Sequence, residues 1–323
     1  MEKKVRWGIL GTANIAKKAF IPGLMKTSNS QLYAVAGRKA EKISEFETLF
    51  SPTTVYDSYE SLLKDENVQA VYIPLPNSLH VEWSVKAMQH GKNVLCEKPL
   101  ALNVNEVEKM RSCAESNGVI LMEAFAYVYN PLIKKIKRII ESGVIGNIES
   151  VNSSFVFNMM DREYDVRFEK RLGGGAMYDI GCYTVHFIRH MFGREPVKIH
   201  AFSKRGEKWD VDVTTSGILK FDDDLIGRFH SSFCQNGMTY IEILGDEGSI
   251  YSKHPFNESG VLSYQIKIKD NNWDVITVDC PDNYMLEAEH FSDLILNGGE
   301  QYVSLDDSYN NVKLIEQVLE ISK

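Results

Sequence analysis

The feature that most restricts the fold is a change of pattern part-way along the chain. In residues 1–124, short and nearly unbroken apolar runs alternate with stretches of helical periodicity. The runs fall at residues 5–10, 32–36, 68–73, 93–96 and 119–122, and the helical stretches near 14–27, 39–49, 79–90 and 104–117. Strands that are apolar on both faces belong to parallel sheets covered by helices on both sides. Strand–helix alternation of this length builds βαβ units. From about residue 150 the runs at 151–157, 197–203, 214–221, 225–232, 239–244, 248–252, 264–269 and 274–278 follow one another closely. Several of them alternate apolar and polar residues, as an antiparallel sheet with one covered face does. Helices are expected at 131–142, 175–192, 284–297 and 305–322. The expected class is α/β: a doubly wound parallel sheet in residues 1–124, then residues 125–323 with an open, mostly antiparallel sheet.

Charge and cysteine usage narrow the function. The 323 residues carry 36 basic and 44 acidic side chains, a net charge of −8. Nucleic-acid affinity comes from basic surface, so no nucleic-acid partner is expected. No apolar run approaches the ~18 residues of a membrane span, and the stretch at 7–10 is too short for a signal-peptide core. Cys96, Cys113, Cys182, Cys234 and Cys280 are odd in number and widely spaced, without a CxxC pair. Reduced thiols in a cytoplasmic protein fit that usage.

Four motifs carry chemistry. The first strand runs into Gly11-Thr12-Ala13-Asn14-Ile15-Ala16. Gly11, Ala13 and Ala16 occupy the three small positions of a dinucleotide-binding turn, with alanine in the middle. Such a turn presents the N–H groups of a helix N-terminus to a pyrophosphate. At the end of the second strand, Ala36-Gly37-Arg38-Lys39 contains no acid to hold a ribose 2′-hydroxyl. Gly37 leaves room there, and Arg38, helped by Lys39, suits a 2′-phosphate, so NADP(H) is expected over NAD(H). Glu97-Lys98-Pro99 ends another strand, where ligands of doubly wound sheets bind. In the second half, Gly173-Gly174-Gly175 precedes a helix on which Asp179, Tyr183 and His186 share a face at about 100° per residue. An acid, a phenol and an imidazole can orient a hydroxyl and move its proton. Cys182, His186 and His190 also lie there, but nothing nearby suggests a fourth ligand, and no metal is expected.

Together these residues resemble the glucose–fructose oxidoreductase/inositol dehydrogenase (Gfo/Idh/MocA) family of nicotinamide-dependent sugar oxidoreductases. The resemblance runs nearly end to end. It rests on residues 7–16, Ala36-Gly37-Arg38, Pro74-Leu75-Pro76-Asn77 with His80, Glu97-Lys98-Pro99, Met122-Glu123-Ala124, Arg167 and residues 173–183. Within the family the chain is similar to the branch of dihydrodiol dehydrogenase, NADP-dependent xylose dehydrogenase and sugar 3-ketoreductases. Inositol dehydrogenases instead carry histidine where this chain has Tyr183. The resemblance implies a Rossmann domain at 1–124 and a substrate-binding and oligomerisation domain at 125–323. It further implies a sugar or diol substrate and a homodimer or homotetramer formed through the second sheet. By matched position, Lys98 and Tyr183 become an acid–base pair and Asp179 lines the sugar site. Gly11, Thr12, Ala13, Asn14 and Ile15 form the pyrophosphate loop, and Arg38 meets NADP. Leu75, Pro76, Asn77, His80 and Glu97 border the cofactor, and Arg167 and His186 lie near the substrate. Two other readings stay open: an NAD(P)-using non-redox glycosidase and a nucleotide-binding regulatory protein.

Overall fold

The computed structural model describes residues 3–256 and 258–322. In chain order the first elements are β1 (Val5–Leu10), a π-turn (Ala16–Phe20) running into α1 (Ile21–Leu24), β2 (Ser30–Ala36), α2 (Ala40–Phe50), β3 (Thr54–Tyr56) and α3 (Tyr59–Lys64). Then come β4 (Ala70–Ile73), α4 (His80–Gln89), β5 (Asn93–Glu97), α5 (Val104–Asn117), β6 (Leu121–Ala124) and α6 (Pro131–Glu141). After β7 (Ile148–Val156), a second π-turn (Met177–Gly181) leads into α7 (Cys182–Phe192). There follow β8 (Lys198–Arg205), β9 (Asp212–Lys220), β10 (Ile226–Ser232), β11 (Tyr240–Gly245), β12 (Gly248–Ser252), β13 (Gly260–Ile268) and β14 (Asp274–Cys280), then α8 (Asn283–Asn297) and α9 (Leu305–Ile321).

The chain divides into two compact units. One runs up to Ala126 and takes back Asp282–Tyr309; the other holds Tyr127–Pro281 and the residues from Asn310 on. The first contains a wholly parallel six-stranded sheet in the order β3-β2-β1-β4-β5-β6. All four residues of β4 are buried, which is why it reads as an unbroken apolar run, and all four of β6 are buried as well, Glu123 among them. The strand order reverses between β1 and β4, and a doubly wound sheet binds its ligand outside the carboxyl ends of the strands at that reversal. Helix α8 packs within this unit, so residues 125–323 do not form one body. The Trp7 indole N–H donates to Ser292 Oγ of α8 at 2.9 Å, and Asn29 Nδ2 donates to the Glu289 carbonyl at 2.9 Å. Gly23 makes the approach close: a Cβ there would lie 2.7 Å from the Met285 backbone nitrogen. A helical pattern in a sequence does not say which sheet its buried face will cover. β3 and α3 span three and six residues, too short for either periodicity, and the sequence pattern misses both.

The second unit holds an eight-stranded sheet in the order β14-β13-β12-β11-β7-β10-β9-β8. Among the described residues, only β10 and β7 pair in parallel within this sheet. Ile241, Ile243, Val151, Phe229 and Leu219 are buried on one face, with α7 packed against β7 and β10. The opposite face leaves Phe202, Ile218 and Val275 exposed. The segment after β7 is held by its own small core of Met159, Phe168, Ala176, Ile180, Val213 and Phe233. Phe168 stacks on Trp209 at 4.0 Å between ring centroids. That core fixes the neighbouring Arg167. Among the described residues, no helix is long and apolar enough to cross a membrane.

Candidate active site

In the first unit the turns after β1 and β2 touch. Gly11 has φ +120°, a conformation open to glycine. Its N–H donates to the Ala36 carbonyl at 2.9 Å. A Cβ on Gly11 would meet Leu75 Cδ2 at 2.9 Å, and one on Gly37 would meet Thr12 Cγ2 at 3.1 Å and Ile43 Cγ1 at 2.9 Å. Ala13 stays out of the left-handed region, so a methyl group in the middle of the turn is tolerated. The helix that follows begins at Asn14, and first-turn N–H groups have no acceptor within a helix. Thr12, Ala13 and Ile15 are half-buried and Asn14 is exposed. Arg38 and Lys39 are exposed at the start of α2. The Arg38 guanidinium lies near the Tyr59 hydroxyl, whose oxygen is 3.7 Å from the position of a Gly11 Cβ. Tyr59 opens α3, the element the sequence pattern misses, and so it was not among the expected site residues. These groups fit a phosphate-bearing dinucleotide: a glycine-made cradle, a helix start and a guanidinium at its rim.

The loops after β4 and β5 are tied together. Leu75 is buried, Pro76 and Asn77 are half-buried, and His80 at the start of α4 is fully buried. His80 Nδ1 lies 2.9 Å from the Pro99 carbonyl and Nε2 lies 2.8 Å from the Leu75 carbonyl. A neutral imidazole has one N–H and donates to one carbonyl at a time. Burial pushes the His80 pKa down to about 4; the two carbonyls pull it up, and the Lys98 charge lowers it further. The ring thus holds two loops together with both its nitrogens on the protein. Lys98 is half-buried after the last strand residue, Glu97. The Tyr72 hydroxyl donates to the Glu97 carboxylate, and Glu123 Oε1 accepts the Leu100 N–H at 2.9 Å. Tyr72 and Glu123 therefore brace the lysine turn from within. Glu123 stands in the Met122-Glu123-Ala124 motif, and that motif was the one sequence signal for it.

In the second unit Asp179 sits in the π-turn and Tyr183 in α7. The segment is not the uniform α-helix that the spacing predicts, because one wider turn precedes α7. Arg167 Nε donates to Asp179 Oδ2 at 2.6 Å, and Arg167 Nη1 donates to Asp165 Oδ1 at 3.3 Å. The Asp179 charge raises the Arg167 pKa above its ordinary value. Half-exposed ion pairs of this kind are worth about 0–1 kcal/mol, so this one orients its carboxylate more than it stabilises the fold. Tyr183 is 5 % exposed. His186 is buried, and its Nδ1 bonds the hydroxyl of fully buried Tyr127. The Tyr127 ring lies 5.9 Å from that of Tyr183, and Phe155 and Phe256 lie 5.6 and 5.3 Å from it. Among the described residues, no three His, Cys, Asp or Glu side chains gather as a metal site requires.

Known proteins share both halves of this arrangement. Residues 5–125 match the oxidoreductase family with an NAD-binding Rossmann fold, and residues 133–251 match the GFO/IDH/MocA C-terminal domain. The D-xylose 1-dehydrogenase (NADP(+)) 2 of Haloferax volcanii is 33 % identical over 97 % of this chain and 96 % of its own. The chain belongs to the Gfo/Idh/MocA family of oxidoreductases. Trans-1,2-dihydrobenzene-1,2-diol dehydrogenase of Xenopus laevis is 31 % identical over 98 % of this chain and 97 % of its own. The crystal structure of a 3-ketoreductase from Actinomadura kijaniata, in complex with NADP and TDP-benzene, superposes with a TM-score of 0.92. It is 25 % identical and the match covers 98 % of both chains.

The His80 environment gives a pH prediction. Its folded pKa lies below the ordinary ~6.5, so between those values the unfolded chain binds a proton that the folded chain refuses. The associated stability is complete above pH 6.5 and is lost as pH falls toward 4, up to about 3 kcal/mol. Melting temperatures of the wild type and His80→Gln, followed from pH 8 to pH 4.5, should converge as the pH falls. Parallel curves would refute the assignment.

Proposed function

We propose that this oxidoreductase uses NADP(H) and acts on a carbinol carbon of a sugar, sugar derivative or related diol, with Lys98 and Tyr183 as its acid–base pair. The observation that carries the cofactor choice is Arg38, exposed just after β2 with its guanidinium near Tyr59 at the rim of the Gly11 turn. A guanidinium there meets a 2′-phosphate with paired donors, and no carboxylate stands at the end of β2 to prefer a bare 2′-hydroxyl. The name of the Haloferax relative supports the same cofactor.

Gly11, Thr12, Ala13, Asn14 and Ile15 would hold the pyrophosphate, and Gly37, Arg38 and Lys39 the phosphorylated ribose. Leu75, Pro76 and Asn77 would border the nucleotide, while His80 and Glu97 hold the loops that flank it. The nicotinamide, when bound, supplies or accepts the hydride. In oxidation Tyr183 takes the proton of the substrate hydroxyl, and in reduction it returns that proton. A cation beside a phenol favours phenolate and brings its pKa toward neutrality, the role assigned to Lys98. Asp179, oriented by Arg167, accepts a hydrogen bond from a neighbouring hydroxyl. A substrate with adjacent hydroxyls agrees with the names of the xylose and dihydrodiol dehydrogenase relatives. His186 supports Tyr127 behind the phenol. We also infer that copies of the chain associate through the outer face of the eight-stranded sheet, where Phe202 is 81 % exposed and Ile218 lies beside it.

NADP⁺ and NAD⁺ reduction across aldoses and trans-diols, with NADPH oxidation on keto-sugars, tests the reaction class. Lys98→Met and Tyr183→Phe should each lower turnover by about 10²–10⁴-fold with NADPH affinity retained; wild-type turnover in both would exclude the pair. Arg38→Ala should weaken NADP⁺ by about tenfold or more, as losing a charged phosphate contact does, and leave NAD⁺ unchanged. Equal losses with both cofactors would remove Arg38 from the 2′-phosphate. Light scattering should show a dimer or larger assembly that Phe202→Asp splits; a monomeric wild type would overturn the association.

A further inference from the structure

We propose that Asp212 is a positioning residue that sets where the Asp179–Tyr183 segment begins. It opens β9, far in sequence from the motifs above, and is 6 % exposed. Its Oδ2 accepts the Met177 N–H at 2.7 Å and the Thr215 hydroxyl at 2.8 Å. Met177 is the first residue of the π-turn that carries Asp179.

The glycine run is shaped around this contact. Gly175, at φ +123°, would place a Cβ 2.2 Å from Asp212 Oδ1. Its N–H donates to the Arg167 carbonyl at 2.8 Å, and a Cβ on Gly174 would lie 2.5 Å from that same carbonyl. The Gly175 carbonyl in turn accepts the Asp179 N–H at 3.1 Å. The strip is therefore pinched between Asp212 on one side and Arg167 on the other, and Arg167 also grips the Asp179 carboxylate. Only a backbone without side chains fits the gap, and the carboxylate fixes the phase of the helix start. Burial raises the Asp212 pKa, while its two donors and the helix N-terminus favour the charged form.

The inference rests on the reading of Asp179 and Tyr183 given above. Crystal structures of Asp212→Ala and Asp212→Asn test it together with NADP⁺ reduction using D-xylose as probe. In Asp212→Ala, Asp179 should move by about 1 Å, and turnover should fall by about 10–100-fold with NADPH affinity unchanged. Asp212→Asn keeps an acceptor for both donors and should restore the position and most of the turnover. If Asp212→Ala does not fold, Gly175→Ala pushes the same carboxylate away and should reproduce the displacement. An unmoved Asp179 in the displaced variants overturns the inference. So does wild-type turnover in Asp212→Ala beside an inactive Tyr183→Phe. Wild-type turnover in Tyr183→Phe removes the reading beneath it instead.

Discussion

A methyl group on Gly11 would reach within 2.9 Å of Leu75, and one on Gly37 would press on Thr12 and Ile43. The cofactor end of the parallel sheet depends on these two missing side chains. Without them the turns after β1 and β2 close to hydrogen-bonding distance, and Arg38, Tyr59 and the helix start converge. Overpacking such a site by one carbon costs about 1–3 kcal/mol. More importantly, it would push Leu75 away, and Leu75 is tied through His80 to the Lys98 turn. One close backbone approach thus governs the placement of several side chains from three different loops.

The second unit solves a similar problem with charge as well as space. Gly174 and Gly175 allow a carbonyl and a carboxylate to clasp the chain, and the buried carboxylate is satisfied by a backbone N–H and a hydroxyl. A buried acid without such partners would cost several kcal/mol. The wider turn that follows belongs to a class of helix irregularity often found at functional sites. A regular spacing rule puts Asp179 and Tyr183 on one face, but it does not see what sets their phase.

Much of the parallel sheet was legible because its strands are apolar on both faces. The antiparallel strands were legible because alternation survives wherever one face meets solvent. Runs such as 5–10 and 248–252 match β1 and β12 residue for residue. The residues that escaped share a cause: their contacts join positions distant in sequence. Tyr59 opens a six-residue helix without detectable periodicity, and its hydroxyl matters because the Arg38 guanidinium comes near it from another loop. Asp212 looks like the polar start of a strand, and Tyr72 like one more apolar strand residue. His80 stood within the motif yet reads in sequence as a nucleotide contact. Its burial between two carbonyls also makes it a brace between two loops, which no one-dimensional pattern conveys.

The return of α8 to the parallel sheet has a consequence for how the protein is made. Domains generally fold as units while the chain emerges, the N-terminal one first. Here the ribosome releases all six strands before residues 282–309 exist. Until then Trp7 lacks its Ser292 partner, and the apolar surface around Gly23 has nothing to cover it. The nascent nucleotide-binding half must wait, incomplete, through the synthesis of the entire antiparallel sheet. A gene fragment ending near Ala126 would freeze that waiting state, so this Rossmann sheet is not a module that shuffling could carry off by cutting at one place.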